Sequence, residues 1–189
     1  TGKKRTLKLK VLITGADGFV GTALCHRLAA TGYEVSGLYR KKPCKINWMN
    51  PITTGDLVDV KNFDPLVRDM DVIIHLAAKV HVNSQSPQDD TAYANVNTCV
   101  TERIATAAAN VKINKFIFLS TVKVYGEKTQ FQNRLTEKTT PDPIGSYSRS
   151  KYAAEQAVAS IATNAELPWT ILQVPLVYGP GVRANFHSL

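Results

Sequence analysis

The chain has 189 residues, 44% hydrophobic, 20% charged and 8% aromatic, with a formal charge of +8. That balance excludes a disordered or collagenous chain and suits one domain with a sizeable core. No apolar run approaches the roughly 18 residues of a membrane-spanning helix, and Val11-Leu12-Ile13, behind the basic N-terminus, is too short for a secretory signal core.

In chain order, Leu7 to Thr14 turns from alternating to continuously apolar, the pattern of a strand entering a buried sheet. Gly15 to Gly21 follows, and Val20, Leu24, Leu28 and Ala29 then fall at helical spacing until Gly32. Strands are expected at Glu34–Tyr39, Pro51–Thr54, Asp71–Leu76, Lys115–Ser120 and Trp169–Val174, with helices over about Asp89–Val111 and Tyr147–Thr163. Strands alternating with long helices predict an α/β fold, a doubly wound parallel sheet with helices on both faces. The polar, proline-containing stretch from Glu127 to Pro143 is long for a plain connection and predicts a loop beside the active site.

The charge is concentrated at one end. Residues 1–45 hold ten Lys/Arg against two Asp/Glu, in clusters at Lys3, Lys4, Arg5, Lys8 and Lys10 and at Arg40, Lys41, Lys42 and Lys45. No aromatic residues interleave with these clusters, so nucleic acid is not an expected partner. Cys25, Cys44 and Cys99 have no C-x-x-C spacing and read as buried or half-buried thiols of a reducing compartment. No metal site is expected.

Gly15, Gly18 and Gly21 are spaced G-x-x-G-x-x-G between the first strand and helix. A tight turn there needs residues without a Cβ, and the helix N-terminus offers N–H groups and a favourable dipole to a pyrophosphate. Phe19 and Val20 are the expected donors. An NAD-reading site of this kind places an acid at the end of strand two; here Tyr39-Arg40-Lys41 stands instead. Arg40 can stack on adenine and pair with a 2′-phosphate, which points to NADP; the bland reading is an exposed basic loop. Asp56, in Gly55-Asp56-Leu57, offers a carboxylate to the adenine amine or is simply a helix cap.

Tyr147 and Lys151 share one helix face at i, i+4. An ammonium near a phenol favours the phenolate and should bring the Tyr147 pKa toward neutrality, making a general acid/base. The spacing alone is common in a chain with seven tyrosines; its place after the fifth strand gives it weight. Ser120-Thr121 ends that strand, where ligands bind in open α/β sheets.

Taken together these residues resemble the extended short-chain dehydrogenase/reductase superfamily, in its nucleotide-sugar epimerase/dehydratase branch. The motifs are the Gly15–Gly21 loop, Gly55-Asp56-Leu57, His75-Leu76-Ala77-Ala78, Asn95-Val96, Ser120-Thr121 with Val124-Tyr125-Gly126, Tyr147 with Lys151, and Val177-Tyr178-Gly179-Pro180-Gly181. The resemblance implies NAD or NADP as cofactor and a catalytic set of Thr121, Tyr147 and Lys151. It implies cofactor contacts from Gly15, Gly18, Phe19, Val20, Gly21, Arg40, Asp56, Leu57, Leu76, Ala77, Ala78, Tyr147 and Lys151.

It also implies a C-terminal substrate-binding part, of which 182–189 would be the start, after a Rossmann domain at 9–181 and a basic tail or cloning remnant at 1–8. Val122 and Lys123 stand where 4,6-dehydratases of the branch carry an Asp-Glu pair, so dehydration is not expected. Gln173 stands where relatives often have Arg. The expected activity is a 4-epimerase or 4-ketoreductase acting on a UDP-linked sugar of polysaccharide synthesis. A cytoplasmic homodimer without membrane insertion is the expected state. A non-catalytic dinucleotide sensor on the same fold is the alternative; such proteins usually lack the Tyr/Lys pair.

Overall fold

A computed structural model describes residues 8–41, 43, 46–80, 87–126 and 134–182. Lys3, Lys4, Arg5, Lys42, Cys44, Lys45 and positions 127–133 and 183–189 lie outside the described residues. The elements are β1 (Lys10–Thr14), α1 (Phe19–Ala30), β2 (Glu34–Tyr39), β3 (Asn50–Thr53), α2 (Asp64–Val67), β4 (Val72–His75), α3 (Pro87–Tyr93), α4 (Val100–Asn110), β5 (Lys115–Thr121), α5 (Ser146–Asn164) and β6 (Trp169–Val174). A π turn, Ala94–Cys99, joins α3 to α4, and a 3₁₀ turn, Val122–Tyr125, follows β5.

The six strands form one parallel sheet in the order β3-β2-β1-β4-β5-β6. The strand order reverses between β1 and β4, which opens a crevice at the carboxyl ends of those strands. β1 and β2 are buried almost throughout, as strands covered on both faces are, while side chains alternate between the two faces. Leu12, Ile73, Phe116 and Phe118 point to one face, where they pack with Phe63 and Val67 near α2, Val100 and Ile104 of α4, and Ala154 and Val158 of α5. Val11, Ile13 and Val35 point to the other face, against Cys25 of α1. Helices therefore cover both faces, as the strand–helix alternation predicts.

The long helix expected over Asp89–Val111 is broken by its π turn. Asn97 is buried there, and its amide donates to Lys79 O at 3.1 Å and Ser150 Oγ at 3.0 Å while Oδ1 accepts from Lys79 N at 2.7 Å. The widened turn lets a short polar side chain bridge the end of β4 and the start of α5. Cys25 is buried, as expected, whereas Cys99 is exposed: it lies on the outer side of the π turn whose inner side holds Asn97. Among the described residues no helix is long and apolar enough to cross a membrane.

Candidate active site

A cleft of about 1400 Å³ runs along the carboxyl ends of the strands. All fourteen positions singled out in the sequence line it: Gly15, Gly18, Phe19, Val20, Gly21, Arg40, Asp56, Leu57, Leu76, Ala77, Ala78, Thr121, Tyr147 and Lys151. Leu135 and Thr139, from the described half of the long polar loop, line it too.

The glycine loop is built for close backbone approach. Gly15 has φ +67°, and a Cβ there would lie 2.9 Å from Ala77 N. A Cβ on Gly21 would collide with Gly15 O, so the loop can fold back on α1 only without one. Gly18 caps α1 with extended backbone and no side-chain cap, and the first turn carries no acid. The helix start therefore presents N–H groups and a positive dipole end toward the cleft. A cradle that added side chains would fill, at a helix N-terminus, fits a dinucleotide pyrophosphate. Arg40 is exposed at the end of β2, and Asp56 Oδ1 accepts from Val58 N at 3.1 Å, closing a local turn where the sequence allowed a helix cap.

Thr121 lines the same cleft, and its Oγ1 accepts from Lys123 N at 3.2 Å, a bond that does not use its hydroxyl proton. Tyr147 lies in the first turn of α5, with its ring edge-on to Tyr93 at 6.1 Å between centroids. Lys151, one turn on, is only 2% exposed. Its ammonium donates to Leu119 O at 2.7 Å and lies 3.9 Å from the centre of the Phe118 ring. Burial pulls the Lys151 pKa down to about 7, and the charge of Glu155 opposes that fall.

One expectation is corrected. Tyr147 is not drawn toward neutrality by Lys151; burial, with a contribution from Tyr93, pushes its pKa up. The reason is where the ammonium points. Its short bond goes to a backbone carbonyl rather than to the phenol, so desolvation of Tyr147 prevails.

The sequence reading passed over the polar framework behind these groups. Thr14 Oγ1 accepts from Leu76 N and Ala77 N, both at 3.1 Å, and meets His75 Nδ1 at 2.6 Å. His75 Nε2 meets Thr101 Oγ1 at 2.8 Å, and Thr101 donates to Asn97 O at 2.6 Å. Asn97 continues to Ser150, whose hydroxyl donates to Tyr147 O at 2.7 Å. The cleft floor and the Tyr147 turn are thus tied by one hydrogen-bonded path. A polar residue recurring on the core side of a helix, such as Asn97 or Ser150, is the available sequence signal for it.

The NAD dependent epimerase/dehydratase family model matches residues 11–188. UDP-glucose 4-epimerase of Vibrio cholerae is 32% identical over 191 residues, covering 100% of this chain and 58% of that protein. The crystal structure of UDP-glucuronic acid 4-epimerase from Bacillus cereus in complex with NAD superposes with a TM-score of 0.80 at 30% identity, covering 93% of this chain and 58% of that one. A dTDP-D-glucose 4,6-dehydratase of Dictyostelium discoideum is 28% identical over 193 residues, 90% of this chain and 44% of that protein. The chain spans a little over half the length of the first two of these relatives. The family match runs from β1 past β6, through every wall of the cleft, and the chain belongs to the NAD dependent epimerase/dehydratase family.

Proposed function

We propose that the chain is the dinucleotide-binding part of a nucleotide-sugar 4-epimerase or 4-ketoreductase. One observation carries the reading: Thr121, Tyr147 and Lys151 open on the same cleft as the Gly15–Gly21 loop. In this reading Gly15, Gly18 and Gly21 leave room for the pyrophosphate of NAD or NADP, with Phe19 and Val20 N–H groups donating to it. Arg40, Asp56 and Leu57 take the adenosine end, and Leu76, Ala77 and Ala78 form the wall beneath. The nicotinamide, when bound, gives or takes the hydride at the sugar carbon.

The chain's own groups handle the oxygen. Thr121 donates a hydrogen bond to the sugar O4 and orients it. Tyr147, as the phenolate, takes the O4 proton as the alcohol becomes a ketone, and the resulting phenol returns it on reduction. Lys151, one helical turn from Tyr147, brings positive charge to the site and binds the nicotinamide ribose. Arg40 at the end of β2, in place of an acid, mildly favours a reductase that exchanges NADP(H) each turnover. Val122 and Lys123 after Thr121 supply no acid/base pair for eliminating water, which supports a reading without dehydration.

Tyr147→Phe in the protein at its natural length tests the reading. It keeps the ring and removes the proton carrier, so turnover of UDP-sugars should fall about 10²–10⁴-fold while NADH binding, followed by fluorescence, is retained. Turnover near that of the wild type would reject it.

A further inference from the structure

Behind Lys151 lies a second polar cluster that the proposed reaction does not use. Glu155 stands one helical turn after Lys151 on α5 and is 7% exposed. Its Oε2 accepts from Gln173 Nε2 of β6 at 2.9 Å. Gln173 Oε1 accepts in turn from the Tyr125 hydroxyl at 2.7 Å. The Gln173 amide thus turns its NH2 to the carboxylate and its oxygen to the Tyr125 hydroxyl, so Gln173 presents a donor to Glu155. A donor there stabilises the ionised form. Glu155 Oε1 and Ser120 Oγ are both buried without a hydrogen bond of good geometry, though Ser120 is near enough to favour the carboxylate.

We infer that Glu155 is a positioning residue for the proton-transfer pair: its carboxylate, clamped by Gln173 and Tyr125 one helical turn beyond Lys151, keeps the Lys151 ammonium charged where Leu119 O holds it. The inference rests on the proposed roles of Tyr147 and Lys151. A carboxylate is a costly group to bury, and this one is held by two successive hydrogen bonds from other elements at a place where the nearest buried cation is Lys151. The other groups around α5 do not substitute for it. β4 brings His75, which is neutral when buried and whose own charging Lys151 opposes. α3 brings Tyr93, and Asp90, which is engaged by Ser146 at the start of α5. α4 brings Glu102, which is exposed, and Arg103, which stacks over Phe63. Burial raises the Glu155 pKa, while Ser120, Gln173 and Lys151 hold it down; Glu155 in turn holds the Lys151 pKa up.

Glu155→Gln removes the charge and keeps the shape. With lysines carrying ¹³C at Cε, NMR titration of this chain should show the Lys151 midpoint falling by about one pH unit. Gln173→Leu should move it the same way by less, because the carboxylate remains but loses its donor. Glu155→Asp should restore part of the shift. In the natural-length enzyme the alkaline limb of the kcat profile should move down by the same amount in Glu155→Gln. A Lys151 midpoint unchanged in Glu155→Gln overturns the inference even where Tyr147→Phe is inactive. Should Glu155→Gln fail to fold, an unchanged midpoint in both Gln173→Leu and Tyr125→Phe overturns it equally. An active Tyr147→Phe would instead defeat the functional reading while leaving the measured Lys151 shift in place.

Discussion

Acid should destabilise this fold through one imidazole. His75 is 0% exposed at the end of β4, and each of its neighbours has its proton assigned. Thr101 gives its hydroxyl proton to Asn97 O, so it can only accept from His75 Nε2–H. His75 Nδ1 is then the acceptor for the Thr14 hydroxyl, whose lone pairs serve Leu76 N and Ala77 N. A second ring proton would put two donors face to face and a charge in the core. Burial, assisted by the Lys151 charge, lowers the His75 pKa from 6.5 to about 3. That gap corresponds to about 5 kcal/mol at 1.36 kcal/mol per unit. Because the folded pKa lies below the unfolded one, His75 contributes no penalty above pH 6.5. Below it the unfolded chain takes up a proton that the folded chain refuses, and stability falls by about 1.4 kcal/mol per unit until about pH 3. Urea unfolding of the wild type and His75→Gln, followed by circular dichroism from pH 7 to 4, isolates this group, since the carboxylates titrate alike in both. The stability difference between the two should change by about 3 kcal/mol between pH 6.5 and 4. A difference that stays flat with pH would refute the assignment of a neutral, buried His75.

Two further changes probe the dinucleotide end. Gly18 has extended backbone, so a side chain there strains nothing in φ, yet its Cβ would lie 3.2 Å from Gly15 O at the mouth of the cradle. Gly18→Val should weaken NADH binding by about 100-fold, or about 2.7 kcal/mol, with the far-ultraviolet spectrum retained; fluorescence titration checks it, and unchanged affinity would contradict the cradle. Arg40→Ala should remove a charge-assisted phosphate contact of about 1.5–3 kcal/mol, and with it any preference for NADP over NAD. Competitive titration of the two dinucleotides measures this, and a wild type that binds NAD far tighter than NADP would count against the role.

The elements that were legible in the sequence are those with an apolar run or a sustained helical period. β2 and β6 have the bounds expected from their apolar runs. β5 extends one residue further, to Thr121, because Thr121 pairs with Val174 across the sheet, a partner that no local pattern names. α2 went unread because four residues make a single turn, too short to show a 3.6-residue period. The π turn at Ala94–Cys99 is invisible for a different reason: the chain on either side keeps its helical pattern, and only the buried Asn97 marks the change. In the candidate site, positions were legible and orientations were not. The i, i+4 spacing places Tyr147 and Lys151 on one face, but the acceptor that captures the ammonium is a backbone carbonyl, Leu119 O, which carries no sequence signal. For the same reason the opposing shifts at Tyr147 and Lys151 follow from burial that only the folded chain reveals.

The distribution of buried polar groups explains why orientation matters here. Thr14, His75, Asn97, Thr101, Ser120, Ser150, Lys151 and Glu155 are all buried, and they lie at or just behind the carboxyl ends of β1, β4 and β5. Apolar residues in those places would pack without directional demands and would give a more tolerant core. A buried polar group is costly unless it is paired, and pairing by hydrogen bonds admits few geometries. The path from Thr14 to Tyr147 therefore spends burial on direction: each bond fixes the next donor, and the last one fixes the backbone of the turn that carries the phenol. Lys151 is the extreme case, a cation between the Phe118 ring and the Leu119 carbonyl with its pKa brought to about 7. Near neutral pH such a group changes charge with small changes in its surroundings. The elements behind it, Glu155 above all, consequently bear on what the cleft can do as directly as the residues that line it.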